Sequence, residues 1–263
     1  MCGIGGVFSA GTHNFPDQEV QKLFVLLTDR GTHASGYSVM WQGADKPVIH
    51  KTPSSARSIA GSLGKLVAGQ NTLYAMLHTR YSTQGNKHNN GNNHPVLGHG
   101  YIVTHNGVIH GDDDYVFDML PYVTRLHTVD TEAINAALRY SNPSWVLDNI
   151  YGSMSVAYVD EYSPTELYLF TNGLNPLVYG RTVNGDIVYA STREHIQRAG
   201  FKMQFILDCE PFYLYQFYRK DGAVAISSTR VSADSRPAMQ SSMYYDIEDY
   251  ETEAGYTEIK QLF

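Results

Sequence analysis

The chain has 263 residues, 43% hydrophobic and 17% charged, the composition of an ordinary globular protein and not of a disordered or membrane chain. A formal charge of −7, with no basic stripe and interleaved aromatics, excludes nucleic acid as a partner. Two cysteines, Cys2 and Cys209, are too few for a disulfide framework. With no secretory signal and no apolar run long enough to span a membrane, a reduced cytoplasmic setting is expected.

Cys2–Phe8 reads as a strand crowded with glycines. Asp17 is placed as the cap of a helix over Gln18–Leu27, whose Val20, Leu23, Phe24 and Leu27 share a face. Gly36–Trp41 and Lys46–His50 are predicted as paired strands. Ala56–Val67 is predicted as a helix weakened by Gly61 and Gly64. Thr72–Leu77 and Tyr101–Thr104 are short apolar strands. Between them, the Asn- and Gly-rich run Gln84–Pro95 reads as a long loop that buries little, and such loops are more often functional than accidental. Thr131–Arg139 is an amphipathic helix, followed by a shorter one at Ser144–Ile150.

From Ser153 the pattern turns to strands: Ser153–Val159, Glu166–Thr171, Pro176–Tyr179, Ile187–Ala190, Pro211–Tyr218 and Ala223–Ser227. Asn184-Gly185 supplies a hairpin turn. The order predicts an α+β fold, 2–230, with largely antiparallel sheets and helices outside. Residues 231–263 form an acidic, tyrosine-bearing tail. Within Gln240–Phe263, Asp246, Glu248, Asp249, Glu251, Glu253 and Glu258 face a single cation, Lys260.

Cys2 would become the N-terminal residue on removal of Met1. It would then carry a thiol and a free α-amine, whose reference pKa is roughly 7.7–8.0, on one Cα. Alone it is also just a small residue after methionine. Four segments follow it in order: Arg30–Gly36, His78–Gly85, His105-Asn106-Gly107 and Asp130-Thr131-Glu132. Together with Asn175–Gly180 and Ala190-Ser191-Thr192, this series resembles the class II glutamine amidotransferase domain, an N-terminal-nucleophile hydrolase. The resemblance covers about residues 2–200. It implies a four-layer α-β-β-α sandwich with two largely antiparallel sheets, glutamine as substrate, and Cys2 as nucleophile.

The residue types suit that chemistry. Asn106 offers a side-chain amide and Gly107 an unshielded backbone N–H as oxyanion donors. Arg80 suits bidentate capture of a carboxylate, and Asp130 suits an ammonium. The resemblance assigns Arg80 and Asp130 to those groups of glutamine, with Tyr81, Thr83 and Gly107 completing the pocket. Arg30 could brace the sheet and is expected to help position the N-terminus. The loop Gln84–Pro95 is read as part of a lid. Each residue has a plainer reading alone: Asn106-Gly107 as a hairpin turn, Arg80 as a surface ion pair, Asp130 as a helix cap. His33, Tyr81 and Gln84 depart from the Asp, Trp and His of the family pattern.

No cofactor is expected. The histidines of residues 78–110 lack a metal-site spacing, and Cys209 is expected to pack as a small apolar residue. Residues after about 230 are too few and too polar for a synthase, so a separate ammonia-accepting chain is the expected partner, with the tail as a candidate contact. Two alternatives remain: a γ-glutamyl amide hydrolase of the same fold, and a catalytically idle binding subunit.

Overall fold

Alternation along β1 (Gly3–Phe8) sends Ile4 and Phe8 to one face and Val7 to the other, and each face enters a different apolar core. The computed structural model describes residues 1–12, 15–68, 71–82, 85–110, 112–120 and 122–231. Thr83, Gln84 and all of the tail beyond Val231 lie outside the described residues.

Strand β1 is central in a seven-stranded sheet. It pairs on one side with β4 (Thr72–Arg80), followed outward by β2 (Ala34–Trp41) and β3 (Val48–Thr52). On the other side it pairs with β10 (Ile187–Ala190), followed by β9 (Val178–Thr182) and β11 (Met203–Asp208). A six-stranded sheet runs from β5 (Val96–Gly98) through β6 (Tyr101–Ile109), β7 (Gly152–Asp160), β8 (Glu166–Thr171) and β12 (Tyr213–Lys220) to β13 (Ala223–Arg230). Every pairing among the described residues is antiparallel.

Three cores define four layers. Ile4, Phe8, Tyr74, Met76, Ile102, Leu167, Leu169 and Phe217 fill the space between the sheets. On the outer face of the seven-stranded sheet lie α1 (Asp17–Leu26), α2 (Ala60–Val67) and α6 (Arg193–Ala199), packed through Leu23, Phe24, Leu63 and Ile196. On the outer face of the six-stranded sheet, α3 (Asp112–Met119), α4 (Thr131–Tyr140) and α5 (Pro143–Asn149) pack through Val116, Ile134, Ala137 and Val146. The α-β-β-α sandwich is therefore the observed architecture.

Several local expectations are corrected. Pro16, not Asp17, is the N-cap of α1. Asp17 is the first helical residue, and its carboxylate favours the positive helix end while accepting from Gln21 Nε2 at 3.3 Å. Residues 56–67 split into a 3-10 turn, Ala56–Ser58, and α2. At Gly64, where α2 crosses α1, a Cβ would meet the Gln21 amide at 2.0 Å and that side chain would have to shift. His105-Asn106-Gly107 is not a turn but the body of β6, held in register by β7. The strands β5 and β11 and the helices α3 and α6 had no counterpart in the sequence reading.

Candidate active site

Period two in the strands decides what shares the inter-sheet space. In β4, Tyr74 and Met76 face that core, so His78 and Arg80 follow on the same face. In β1, Ile4 faces it, and Cys2 precedes Ile4 by one alternation. The β1–β4 register pairs Gly3 with Thr79, which brings Cys2 beside Arg80. In β6, Ile102 faces the same core, and so does Asn106 four residues on. Cys2, Arg80 and Asn106 thus converge on one end of the gap between the sheets, and all three are buried.

Cys2 is held from two sides. Arg30 donates from Nε to the Cys2 carbonyl at 2.8 Å, and its Nη2 lies 3.4 Å from Met1 Sδ. The Cys2 thiol points to the Tyr81 carbonyl at 3.5 Å. Burial pushes this thiol up from its ordinary pKa; the Tyr81 carbonyl contact, the N-terminal ammonium and Arg80 oppose that, and Asp130 adds to it. Met1 itself is 64% exposed. The Tyr81 ring, 48% exposed, stacks on His33 with centroids 4.6 Å apart. His33 Nδ1 accepts from Ser82 N at 3.0 Å.

Arg80 is only 3% exposed, and its guanidinium organises the Asn-rich segment. Nη1 donates to Asn93 Oδ1 at 2.8 Å and Nη2 to the Gly85 carbonyl at 3.2 Å. Burial lowers its pKa, while Cys2 and Asp130 act to raise it. The segment is built on asparagine side chains. Asn93 Nδ2 donates to the Lys87 carbonyl at 2.7 Å, and Asn92 Oδ1 accepts from both Thr128 N and Thr128 Oγ1. Asn92, Asn93, His94 and Pro95 are all buried. The expectation that this run buries little is thus wrong for its second half, because amides that saturate one another and the backbone lose little on leaving water.

Asp130 is the N-cap of α4 and lies in the site region. Oδ1 accepts from Thr131 N at 2.9 Å, and Oδ2 from Ile109 N at 3.0 Å. The second bond also shows which way β6 faces. Ile109 N–H points away from β7 toward Asp130, and N–H groups two residues apart point the same way. Met154, opposite Gly107, directs both its N–H and its carbonyl to Asn172. Gly107 N–H therefore faces the Asp130 edge. Gly107 has φ 155°, and a Cβ there would lie 1.8 Å from the Ser153 carbonyl, so no side chain can stand at this position.

Asn106 Nδ2 is buried with no hydrogen-bond partner. A buried orphan donor costs about 1–3 kcal/mol, and such groups call for an explanation. The missed residues are those behind the site. Asn93 anchors Arg80, and His78, His94 and His105 form a buried cluster around Thr131. Glu132, fully buried, accepts from Leu126 N and His127 N and pairs with His99 at 3.2 Å. Burial alone would raise the Glu132 pKa, but these donors outweigh it and hold the carboxyl below its ordinary value. The Asn-rich composition was the only signal for Asn93. Among the described residues, no group of three or more His, Cys, Asp or Glu is placed to hold a metal ion, and no helix is long and apolar enough to cross a membrane.

No family model matches the chain. It is 26% identical over 201 residues to glutamine–fructose-6-phosphate aminotransferase (isomerizing) of Campylobacter jejuni, covering 73% of this chain and 32% of that protein. The glutamine phosphoribosylpyrophosphate amidotransferase of B. subtilis superposes with a TM-score of 0.69 at 20% identity, over 88% of this chain and 49% of that one. A glutamine aminotransferase class-II domain protein from Silicibacter pomeroyi gives a TM-score of 0.53 at 12% identity, over 88% of this chain and all of that one. The chain spans about a third of the length of the curated relatives it matches. The chain shares its fold with these amidotransferase and class-II glutamine aminotransferase structures. In sequence the chain is similar to glutamine–fructose-6-phosphate aminotransferases over 68–73% of its length.

Proposed function

We propose that residues 2–230 hydrolyse glutamine to glutamate and ammonia at Cys2, and that the ammonia passes to a synthase-type acceptor outside this domain. The observation that carries the reading is the partnerless Asn106 Nδ2, buried in the same inter-sheet gap as Cys2. A stability cost of this kind is retained where a donor meets a charge that exists only during reaction.

With Met1 removed, the free α-amine of Cys2 takes the thiol proton. This is the base the reaction needs, because burial favours the thiol over the thiolate. Sulfur bonds to the glutamine side-chain carbonyl carbon. The resulting oxyanion is held by Asn106 Nδ2 and Gly107 N–H. As the oxyanion collapses, the carbon–nitrogen bond breaks, and ammonia leaves with the proton returned by the amine. Water, deprotonated by the same amine, then cleaves the thioester to glutamate and restores the thiol.

Arg80 binds the glutamine α-carboxylate and Asp130 the α-ammonium, with Tyr81, Thr83 and Gly107 around them. Arg30 fixes the N-terminus through the Cys2 carbonyl. The chemistry as written uses no metal or cofactor. The acidic segment 231–263 is proposed as a contact for the acceptor chain, and a cytoplasmic setting suits a free thiol. The test is ammonia release from glutamine by the protein and by its Cys2→Ala variant. The reading requires turnover in the first and none in the second, and equal release from both would refute it.

A further inference from the structure

Three buried histidines and one hydroxyl link the parts of this site, and their hydrogen bonds fix which atom carries each proton. His105 Nε2 lies 3.2 Å from the Ser153 carbonyl, which can only accept, so His105 is protonated at Nε2. Its Nδ1 is then an acceptor and takes the Thr131 hydroxyl proton at 3.2 Å, nearer than the 3.5 Å alternative at Asp130 Oδ1. With that proton committed, Thr131 Oγ1 must accept from His94 Nε2 at 2.8 Å. His78 Nε2 donates to the His105 carbonyl at 3.0 Å. The remaining nitrogens, His78 Nδ1 and His94 Nδ1, are buried and have no partner, consistent with neither carrying a proton. The His78 and His94 rings stack with centroids 4.0 Å apart, which suits two neutral rings. Burial lowers all three histidines, His78 to about 3.

The chain of donors runs in one direction, from His94 to Thr131 to His105. Each member is the sequence neighbour of a group in the proposed mechanism or of one bonded to it. His94 follows Asn93, which holds Arg80. Thr131 follows Asp130, and His105 precedes Asn106. We infer that His94, Thr131 and His105 are positioning residues that couple the Asn-rich segment around Arg80 to the placement of the Asn106 oxyanion donor. This rests on the proposed glutaminase reading; the proton assignments do not. Seating of the segment on a bound carboxylate sets His94, and the hydroxyl of Thr131 passes that placement to the strand that carries Asn106.

The experiment has two arms. In the first, the intact protein with 15N-labelled histidine is examined by NMR at about pH 7, where lowered ring pKa values leave the rings neutral. His78, His94 and His105 are expected as neutral Nε2–H tautomers; an imidazolium or an Nδ1–H tautomer at His94 or His105 overturns the network whether or not the protein has activity. In the second arm, His94→Phe keeps a ring against His78 but removes the donor. It should lower kcat for glutamine about tenfold with KM changed less than about threefold, the pattern of a loss felt only in the transition state. His94→Gln, which restores an amide donor, should recover most of that loss. In an Asn106→Ala background, His94→Phe should change kcat less than about twofold, because the group it positions is gone. An equal loss in both backgrounds refutes the coupling. A protein with the predicted tautomers and no turnover of glutamine in its unmutated form refutes the functional reading instead.

Discussion

Replacing Asn106 with leucine should abolish the proposed glutaminase activity without weakening the fold. Asn106 is 1% exposed and its Nδ2 has no partner. Removing it relieves a desolvation cost of about 1–3 kcal/mol, against roughly 1 kcal/mol for fitting a branched side chain of similar size. The expected change in stability is between zero and a gain of about 2 kcal/mol. In thermal unfolding that is a Tm unchanged or raised by a few degrees, at about 2–4 °C per kcal/mol for a domain near this size. On the proposed mechanism the same substitution removes an oxyanion donor worth about 2.7–4 kcal/mol, so kcat should fall about 100- to 1,000-fold. Calorimetry and a coupled ammonia assay on one preparation measure both quantities. A loss of more than about 2 kcal/mol in stability would show that the amide has a structural partner. A kcat within about tenfold of the unmutated protein would show that no oxyanion meets it.

Four further outcomes are expected. Arg30→Ala should lower kcat about tenfold or more and cost about 1.5–3 kcal/mol in urea unfolding, because a charged donor to the Cys2 carbonyl is lost; full activity would remove Arg30 from the account. His33→Asp should keep KM for glutamine within about threefold by offering Ser82 N another acceptor, whereas His33→Ala should lose about 1 kcal/mol of stability and raise KM. Gly107→Ala should disrupt β6, since its Cβ would meet the Ser153 carbonyl, and circular dichroism with glutaminase assay should show joint loss of fold and activity. Stability should fall with acidification. His78, His94 and His105 are held below their unfolded value of 6.5, so the stability they contribute is present above pH 6.5 and is lost as pH falls toward about 3 for His78. Three protons taken up only by the unfolded chain give a slope of at most about 4 kcal/mol per pH unit, and urea midpoints that stay flat from about pH 6.5 to 5 would contradict it.

Cys2, Arg80, Asn106 and Asp130, singled out in the sequence by residue type and order, all fall in one region of the fold. What failed in the reading failed for physical reasons. Asn-Gly is a local turn signal, yet at Asn106-Gly107 pairing with all of β7 overrides it. The short helix α6 carries a left-handed Gly200 at its C-cap, φ 98°, a signal that was present but sits in only seven helical residues. Strand β11 is largely exposed and has no clean alternation to betray it. The Asn-rich segment was misjudged because Arg80 and Thr128, which bond its side chains, are distant in sequence or outside its pattern. The histidine network was invisible for the same reason: its links join residues 26–37 apart.

The central claim is that Cys2, once N-terminal, is the attacking group. The most direct measurement treats the protein with a glutamine-mimicking diazoketone and determines intact and peptide masses, beside a form carrying one added residue before Cys2. The account predicts a chain beginning at Cys2, one label on that residue, and no label or turnover in the extended form, whose thiol is intact but whose base is an amide. Labelling of the extended form at an equal rate, or a label on any other residue, would contradict it.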